Sequence, residues 1–249
     1  MQYGICNLNI VPLRSEPKHT AELISQMLYG EHFKVLEQRK YWSKIRIAFD
    51  KFEGWVENNQ FQLIEEDDYI FFDNNTPSYA SDLIEFVTNQ QQSLIPITLG
   101  ASVSSCAFLQ HDFEGMQTEG IQPKEHLLKT AYLYLNSPFL WGGKTPFGID
   151  SAGFTQMVYK LNGYQLCRLA NEQAKQGEPL SFIEESEPGD LAFFDNDEGQ
   201  IIHVGIIMTD NYIIHADGKV RVDRLDHTGI FNPEKRQHTF KLRVIKKII

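Results

Sequence analysis

Cysteine is scarce in this chain: Cys6, Cys106 and Cys167 are the only three in 249 residues, an odd number with no framework spacing. That argues against a disulfide scaffold and a cysteine-held metal, and makes buried free thiols the expectation. Long apolar runs are missing too, and none approaches the ~18 residues that a membrane span needs. Met1 to Cys6 has neither the basic start nor the apolar stretch of a secretory leader. A cytoplasmic protein without a membrane span is therefore expected. Positive charge is in deficit, with 23 Lys and Arg against 33 Asp and Glu and a formal net charge of −10. A polyanion such as nucleic acid is a poor partner for that surface. No repeat, low-complexity tract or metal-ligand pattern stands out, so no cofactor is expected.

What is present divides into three segments, 1–66, 67–125 and 126–249. The first reads as short β runs, Phe33 to Leu36, Ser43 to Ile47 and Gly54 to Val56, with Lys44-Ile45-Arg46-Ile47 alternating at the period of a half-buried strand. The acidic run Glu65-Glu66-Asp67-Asp68 reads as a solvated boundary. Residues 67–125 are the least patterned and are expected to form a second small β-rich unit. A helix is expected from Pro123, with Leu127, Leu128, Ala131 and Leu135 on one face and Asn136-Ser137-Pro138 as its stop.

Beyond Trp141 the pattern sharpens. Gly142-Gly143 and Pro146-Phe147-Gly148 form loops, and Phe154, Val158 and Leu161 then recur at helical spacing, which puts Ser151 at or near a helix N-terminus. Leu191 to Phe194, Ile201 to Met208 and Tyr212 to Ala216 read as strands, an α+β layout. If Thr209-Asp210-Asn211 forms a three-residue turn, Met208 pairs with Tyr212, and His203 then faces Asp217, two residues from His215 on the same face and within diagonal reach of about 7–8 Å. A two-residue turn would put the histidines on opposite faces. With the three-residue turn, one histidine can serve as a base and a second group can orient it, provided a nucleophile approaches from elsewhere. Ser151 at the helix start is suited to that role, because free N–H groups there favour developing negative charge. The alternative is that Ser151 is an N-cap and the histidines are structural.

Five motifs, Phe139-Leu140-Trp141-Gly142-Gly143, Gly148 to Phe154, Glu187-Pro188-Gly189-Asp190-Leu191, His203-Val204-Gly205-Ile206 and Ile214-His215-Ala216, resemble in order and spacing the NlpC-type papain-like cell-wall peptidases. Val11 to Pro17 and Glu53-Gly54-Trp55-Val56 resemble the bacterial SH3-like domains that precede this peptidase in γ-D-glutamyl-L-diamino acid endopeptidases. The resemblance implies a papain-like domain behind two small all-β SH3-like barrels. It also implies that Ser151 stands at the nucleophile's position, that His203 is the base and that His215 orients it. Asp150 would hold the free amino terminus of a short wall peptide, with Trp141, Ala152 and Arg168 in the same substrate-binding region. That preference suits cytoplasmic recycling of wall peptides.

The chain departs from the family's Asp-Cys-Ser-Gly at the central motif, which here reads Asp150-Ser151-Ala152-Gly153. A thiol can be stabilised as a thiolate beside a histidine or a helix N-terminus, and an alcohol cannot. Phe139 stands where the family has a tyrosine, Phe52 is expected to replace another tyrosine, and Arg168-Leu169-Ala170-Asn171 replaces a more polar segment. Two functions follow as expectations: weak or absent hydrolysis of the γ-D-Glu to diamino acid bond, or non-catalytic binding of a muropeptide-like or γ-glutamyl ligand.

Overall fold

The computed structural model describes all 249 residues. They fall into two compact units, residues 1–121 with 141–146, and residues 122–140 with 147–249. The first unit contains both β segments expected before residue 125.

Seven strands open the chain: β1 (Gln2–Ile5), β2 (Ile10–Arg14), β3 (Leu23–Leu28), β4 (His32–Gln38), β5 (Trp42–Ile47), β6 (Glu53–Glu57) and β7 (Gln62–Ile64). They form one sheet in the order β3-β2-β6-β5-β4-β1-β7. Along β5 the alternation expected from the sequence appears as burial, with Ile45 and Ile47 inside and Arg46 outside. Val11, Leu13, Met27, Phe33 and Val56 complete that core.

The acidic run is largely solvent-exposed, as expected, and also starts a helix that was not expected. Helix α1 (Glu66–Asn74) begins with a capping box between Glu65 and Asp68, and Glu66, Asp67 and Asp68 fill its first turn. Negative charge there offsets the helix dipole, so the cluster stabilises the helix it opens. Tyr69 is its one buried residue, packed on Tyr3 at 4.7 Å between ring centroids. With only Tyr69 and the partly buried Phe72 turned to the core in place of a longer apolar stripe, the segment carries little helical periodicity to detect.

Strands β8 (Ser78–Ala80), β9 (Ile84–Asn89), β10 (Leu94–Thr98), β11 (His111–Phe113) and β12 (Gln117–Glu119) make two small sheets, β10-β9-β11 and β12-β8. Their core is continuous with that of the preceding strands: Tyr3, Ile5, Tyr29 and Ile64 share one buried cluster with Val87, Ile97 and Leu109. Gly30 sits at that seam with φ +77°, and a Cβ there would collide with the Ser102 carbonyl oxygen. Only glycine meets both demands.

The second unit opens with α2 (His126–Leu133), shorter than the expected Pro123 to Leu135 segment. Its last turn tightens, Tyr134 N–H bonding to the Ala131 carbonyl, so Tyr134 is buried and Leu135 is exposed. The chain passes through β13 (Lys144–Thr145), in the first unit, to β14 (Gly148–Ile149) and the fully buried helix α3 (Ser151–Leu161). Helix α4 (Ala170–Gln173) and strand β15 (Glu178–Leu180) follow.

The remaining strands are β16 (Leu191–Asp195), β17 (Ile201–Ile207), β18 (Tyr212–Asp217), β19 (Lys219–Leu225), β20 (Gly229–Asn232) and β21 (Gln237–Lys247). The sheet order is β15-β21-β16-β17-β18-β19-β20, with β20 also pairing β21. Helix α3 packs on β17 and β18, which gives the α+β layout expected of this half. No helix is long and apolar enough to cross a membrane.

Candidate active site

Helix α3 starts abruptly. Asp150 is extended at φ −92°, ψ 173°, and its carboxylate accepts the Gly153 N–H at 2.6 Å. The N-cap is therefore Asp150, and Ser151 is the first helical residue, which corrects the reading of Ser151 as a possible cap. Arg168, 1% exposed, grips the same carboxylate with both arms of its guanidinium, at 3.0 Å to Oδ1 and 2.6 Å to Oδ2. Two parallel charge-assisted bonds of this kind fix orientation as well as distance. Asp150 and Arg168 are thus brought together. Both carboxylate oxygens are already engaged, so a ligand's ammonium group would have to share them.

The first turn is braced from behind. Gln173 Nε2 donates to the Ala152 carbonyl at 2.9 Å and to the Cys167 carbonyl at 2.8 Å, while Thr155 Oγ1 donates to Gln173 Oε1 at 2.7 Å. Ser151 and Ala152 are 7% and 6% exposed.

Strands β17 and β18 carry the histidines, and their register is the one that the three-residue turn predicts: Gly205 pairs with His215, Ile206 with Ile214, and Ile207 with Ile213. Asp210 and Asn211 in that turn adopt positive φ, a conformation that Asp and Asn tolerate better than most residues. His203 and His215 therefore meet, Nε2 of the first lying 2.8 Å from Nδ1 of the second. Burial, and then the neighbouring His215, hold the His203 pKa well below the ordinary imidazole value, so at neutral pH its ring is uncharged. Phe240 of β21 stacks flat on it, 3.9 Å between centroids and 8° between planes.

The histidine pair expected from the sequence ends at His215, but the hydrogen bonds continue beyond it. His215 Nε2 is 3.0 Å from Asp223 Oδ2, and Arg221 donates to both oxygens of Asp223, Nε to Oδ2 at 2.7 Å and a terminal nitrogen to Oδ1 at 3.0 Å. Burial acts to raise the Asp223 pKa, but bonds from His215 and Arg221 outweigh it and keep the carboxyl below its usual value. One signal could have revealed this pair. A tight hairpin at Gly218 pairs Asp217 with Lys219 and His215 with Arg221, which puts Asp223 diagonally behind His215. Phe240 had no comparable signal, being distant in sequence from both histidines.

Trp141 belongs to the first unit, 60% exposed, its indole N–H donating to Glu22 at 2.7 Å. The segment after it is pinned: Gly142 has φ +76° and leaves no room for a Cβ beside the Leu23 carbonyl, while Lys144 is buried against Glu31 at 3.3 Å. None of the three cysteines is in a disulfide. Cys6 and Cys106 are buried as expected, and burial pushes the Cys6 thiol up to about 12. Cys167 is partly exposed, contrary to expectation, because it lies in the open loop between α3 and α4.

Residues 136–238 match the NlpC/P60 family, and residues 13–61 match the bacterial dipeptidyl-peptidase Sh3 domain. Dipeptidyl-peptidase 6 of Lysinibacillus sphaericus is 25% identical over 86% of this chain and 88% of its own length. The γ-D-glutamyl-L-lysine dipeptidyl-peptidase of Bacillus subtilis is 37% identical, over 37% of this chain and 31% of its own. The crystal structure of an NlpC/P60 family protein from Bacillus cereus shares the fold, with a TM-score of 0.78, 16% identity and 99% of each chain covered.

Proposed function

We propose that this chain, which carries an NlpC/P60 domain behind a bacterial SH3 domain, binds short wall peptides of the L-Ala-γ-D-Glu-diamino acid kind and cleaves them slowly or not at all. The observation that carries the reading is the pairing of a complete histidine relay with a serine at the first position of α3. A cysteine there could rest as a thiolate beside the helix N-terminus. Serine must instead give up its proton during attack, and depends wholly on the base.

In the slow reaction Ser151 Oγ attacks the γ-D-Glu carbonyl carbon while its proton passes to His203 Nδ1, the nitrogen not bonded to His215. The diamino acid's amine leaves with that proton. Water, deprotonated by His203, then opens the ester and frees L-Ala-γ-D-Glu. Phe139 and Ala152 lack hydroxyls that the family resemblance leads one to expect, and their clustering with Ser151 favours binding over turnover. Asp150, held by Arg168, is assigned the ligand's amino terminus. Non-catalytic capture of a muropeptide-like or γ-glutamyl ligand is the limiting case of the same reading. Residues 67–125 are taken as a divergent second SH3-like domain, between domains 1–66 and 126–249, and the setting as cytoplasmic recycling of wall peptides.

The test is release of L-Ala-γ-D-Glu from L-Ala-γ-D-Glu-diaminopimelate, followed by chromatography, with Ser151→Ala as control. Little product is expected, and whatever forms should fall further in the control. Rapid release that disappears in the control overturns the proposal.

A further inference from the structure

The hydrogen bonds beyond His215 have a direction. An ionised carboxylate can only accept, and Arg221 donates to both oxygens of the fully buried Asp223 side chain. His215 Nε2, 3.0 Å from Asp223 Oδ2, must therefore carry a proton. A neutral His215 then has its lone pair on Nδ1, and His203 Nε2, 2.8 Å away, is the donor to it. A neutral His203 is left with its lone pair on Nδ1.

We infer that Asp223 dictates the tautomers of both histidines, and so decides which nitrogen of His203 is basic, although it is two hydrogen bonds removed from it. Asp223 is a positioning residue, and Arg221 keeps it oriented and ionised, itself steadied by Glu234 at 3.1 Å. Oδ2 accepts from Arg221 Nε and His215 Nε2 together, so the test of its role is a side chain that offers no acceptor. With leucine at 223, His215 Nε2 has no partner for its proton and the reverse order becomes equally open: His215 Nδ1 donates to His203 Nε2, and the His203 proton sits on Nδ1, where the base needs a lone pair. Phe240, stacked on the His203 ring, holds the plane of that imidazole.

The functional meaning rests on His203 being the base, but the tautomers rest on the hydrogen bonds alone, so the experiment requires no turnover. Long-range ¹H–¹⁵N correlation spectra of the intact, ¹⁵N-labelled protein report which imidazole nitrogens carry protons, with His203→Gln and His215→Gln as assignment controls. The expected result is protonated Nε2 and unprotonated Nδ1 on both rings, and a mixture of this pattern and its reverse in Asp223→Leu, with Asp223→Ala serving if that variant does not fold. Arg221→Gln, which keeps the carboxylate, should keep the pattern. Protonated Nδ1 on His203 in the unaltered protein, a reversed pattern in Arg221→Gln, or an unchanged pattern in a folded Asp223 variant, overturns the inference. An inactive protein with the expected tautomers counts only against the hydrolytic reading.

Discussion

In the first unit Tyr29 Oη lies 2.7 Å from His111 Nδ1 and 3.7 Å from Cys106 Sγ, while in the second His203 and His215 lie 2.8 Å apart and lead to Asp223. The first cluster holds a thiol, a phenol and an imidazole, the residue types from which a cysteine nucleophile and its base are made. Burial pushes the Cys106 thiol and the Tyr29 phenol up and His111 down, so all three groups favour their neutral forms. The second cluster ends on a carboxylate gripped by Arg221, and Ser151 heads the helix packed against its strands. Proximity of cysteine and histidine does not make a reactive pair. What sets the His203 cluster apart is an ionised anchor, Asp223, at the end of its hydrogen bonds, and in this protein that anchored relay and the thiols are in different places.

The sharpest contrast is chemical. Ser151→Cys should be alkylated by iodoacetamide at least about 100-fold faster than Cys106, because a thiol at a helix N-terminus beside a histidine is stabilised as thiolate and a buried one is not. Peptide mapping by mass spectrometry reads each rate, and equal rates would break the comparison. Recovery of efficient peptide hydrolysis in the same variant would show that the surrounding pocket was sound; only slight recovery is expected, because Ala152 and Phe139 still lack their hydroxyls.

Next in size is the anchor of α3, which has no counterpart at the Tyr29 cluster. Arg168→Ala strands the Asp150 carboxylate at the helix start and should cost about 3 kcal/mol in urea unfolding, the scale for breaking a buried pair. A loss of a few tenths would mean that Asp150 is satisfied by the helix alone.

Much of the second unit was legible because its signals are local. A three-residue turn fixes the register that joins His203 to His215, and a loop followed by Phe154, Val158 and Leu161 marks the start of α3. What escaped depends on tertiary partners. Helix α1 is held by Tyr69, the partly buried Phe72 and its acidic cap, too few apolar positions to show a helical period. Asp223 looks like any charge on a strand until its neighbour across the hairpin is known, and Phe240 reaches His203 only through the closing strand β21. Trp141 to Pro146 is contiguous with the peptidase-like sequence yet belongs to the first unit, pinned there by the buried Lys144 and Glu31 pair.

Smaller effects sharpen the comparison further. Tyr29→Phe leaves His111 Nδ1 without its 2.7 Å partner and should cost about 1 kcal/mol, while alkylation at position 151 in the Ser151→Cys background stays unchanged. A change at position 151 would link two clusters that belong to separate units of the chain. The smallest expected effect is in acid. His203 and His111 both have lowered folded-state pKa values, so the unfolded chain takes up protons that the folded one refuses. Stability is then present above the unfolded histidine value of about 6.5 and falls as pH drops below it. His203, 4% exposed, should account for more of that loss than the half-buried His111. Denaturant midpoints of His203→Gln and His111→Gln between neutral and mildly acid pH check the order, and equal contributions would contradict it.

The most direct test of the whole account is calorimetric titration of the unaltered protein with L-Ala-γ-D-Glu-diaminopimelate, followed by chromatography of the recovered peptide. The account predicts saturable one-to-one binding, lost when the peptide's amino terminus is acetylated, with the peptide recovered intact. Absence of binding, or recovery of the peptide as efficiently cleaved product, would contradict it.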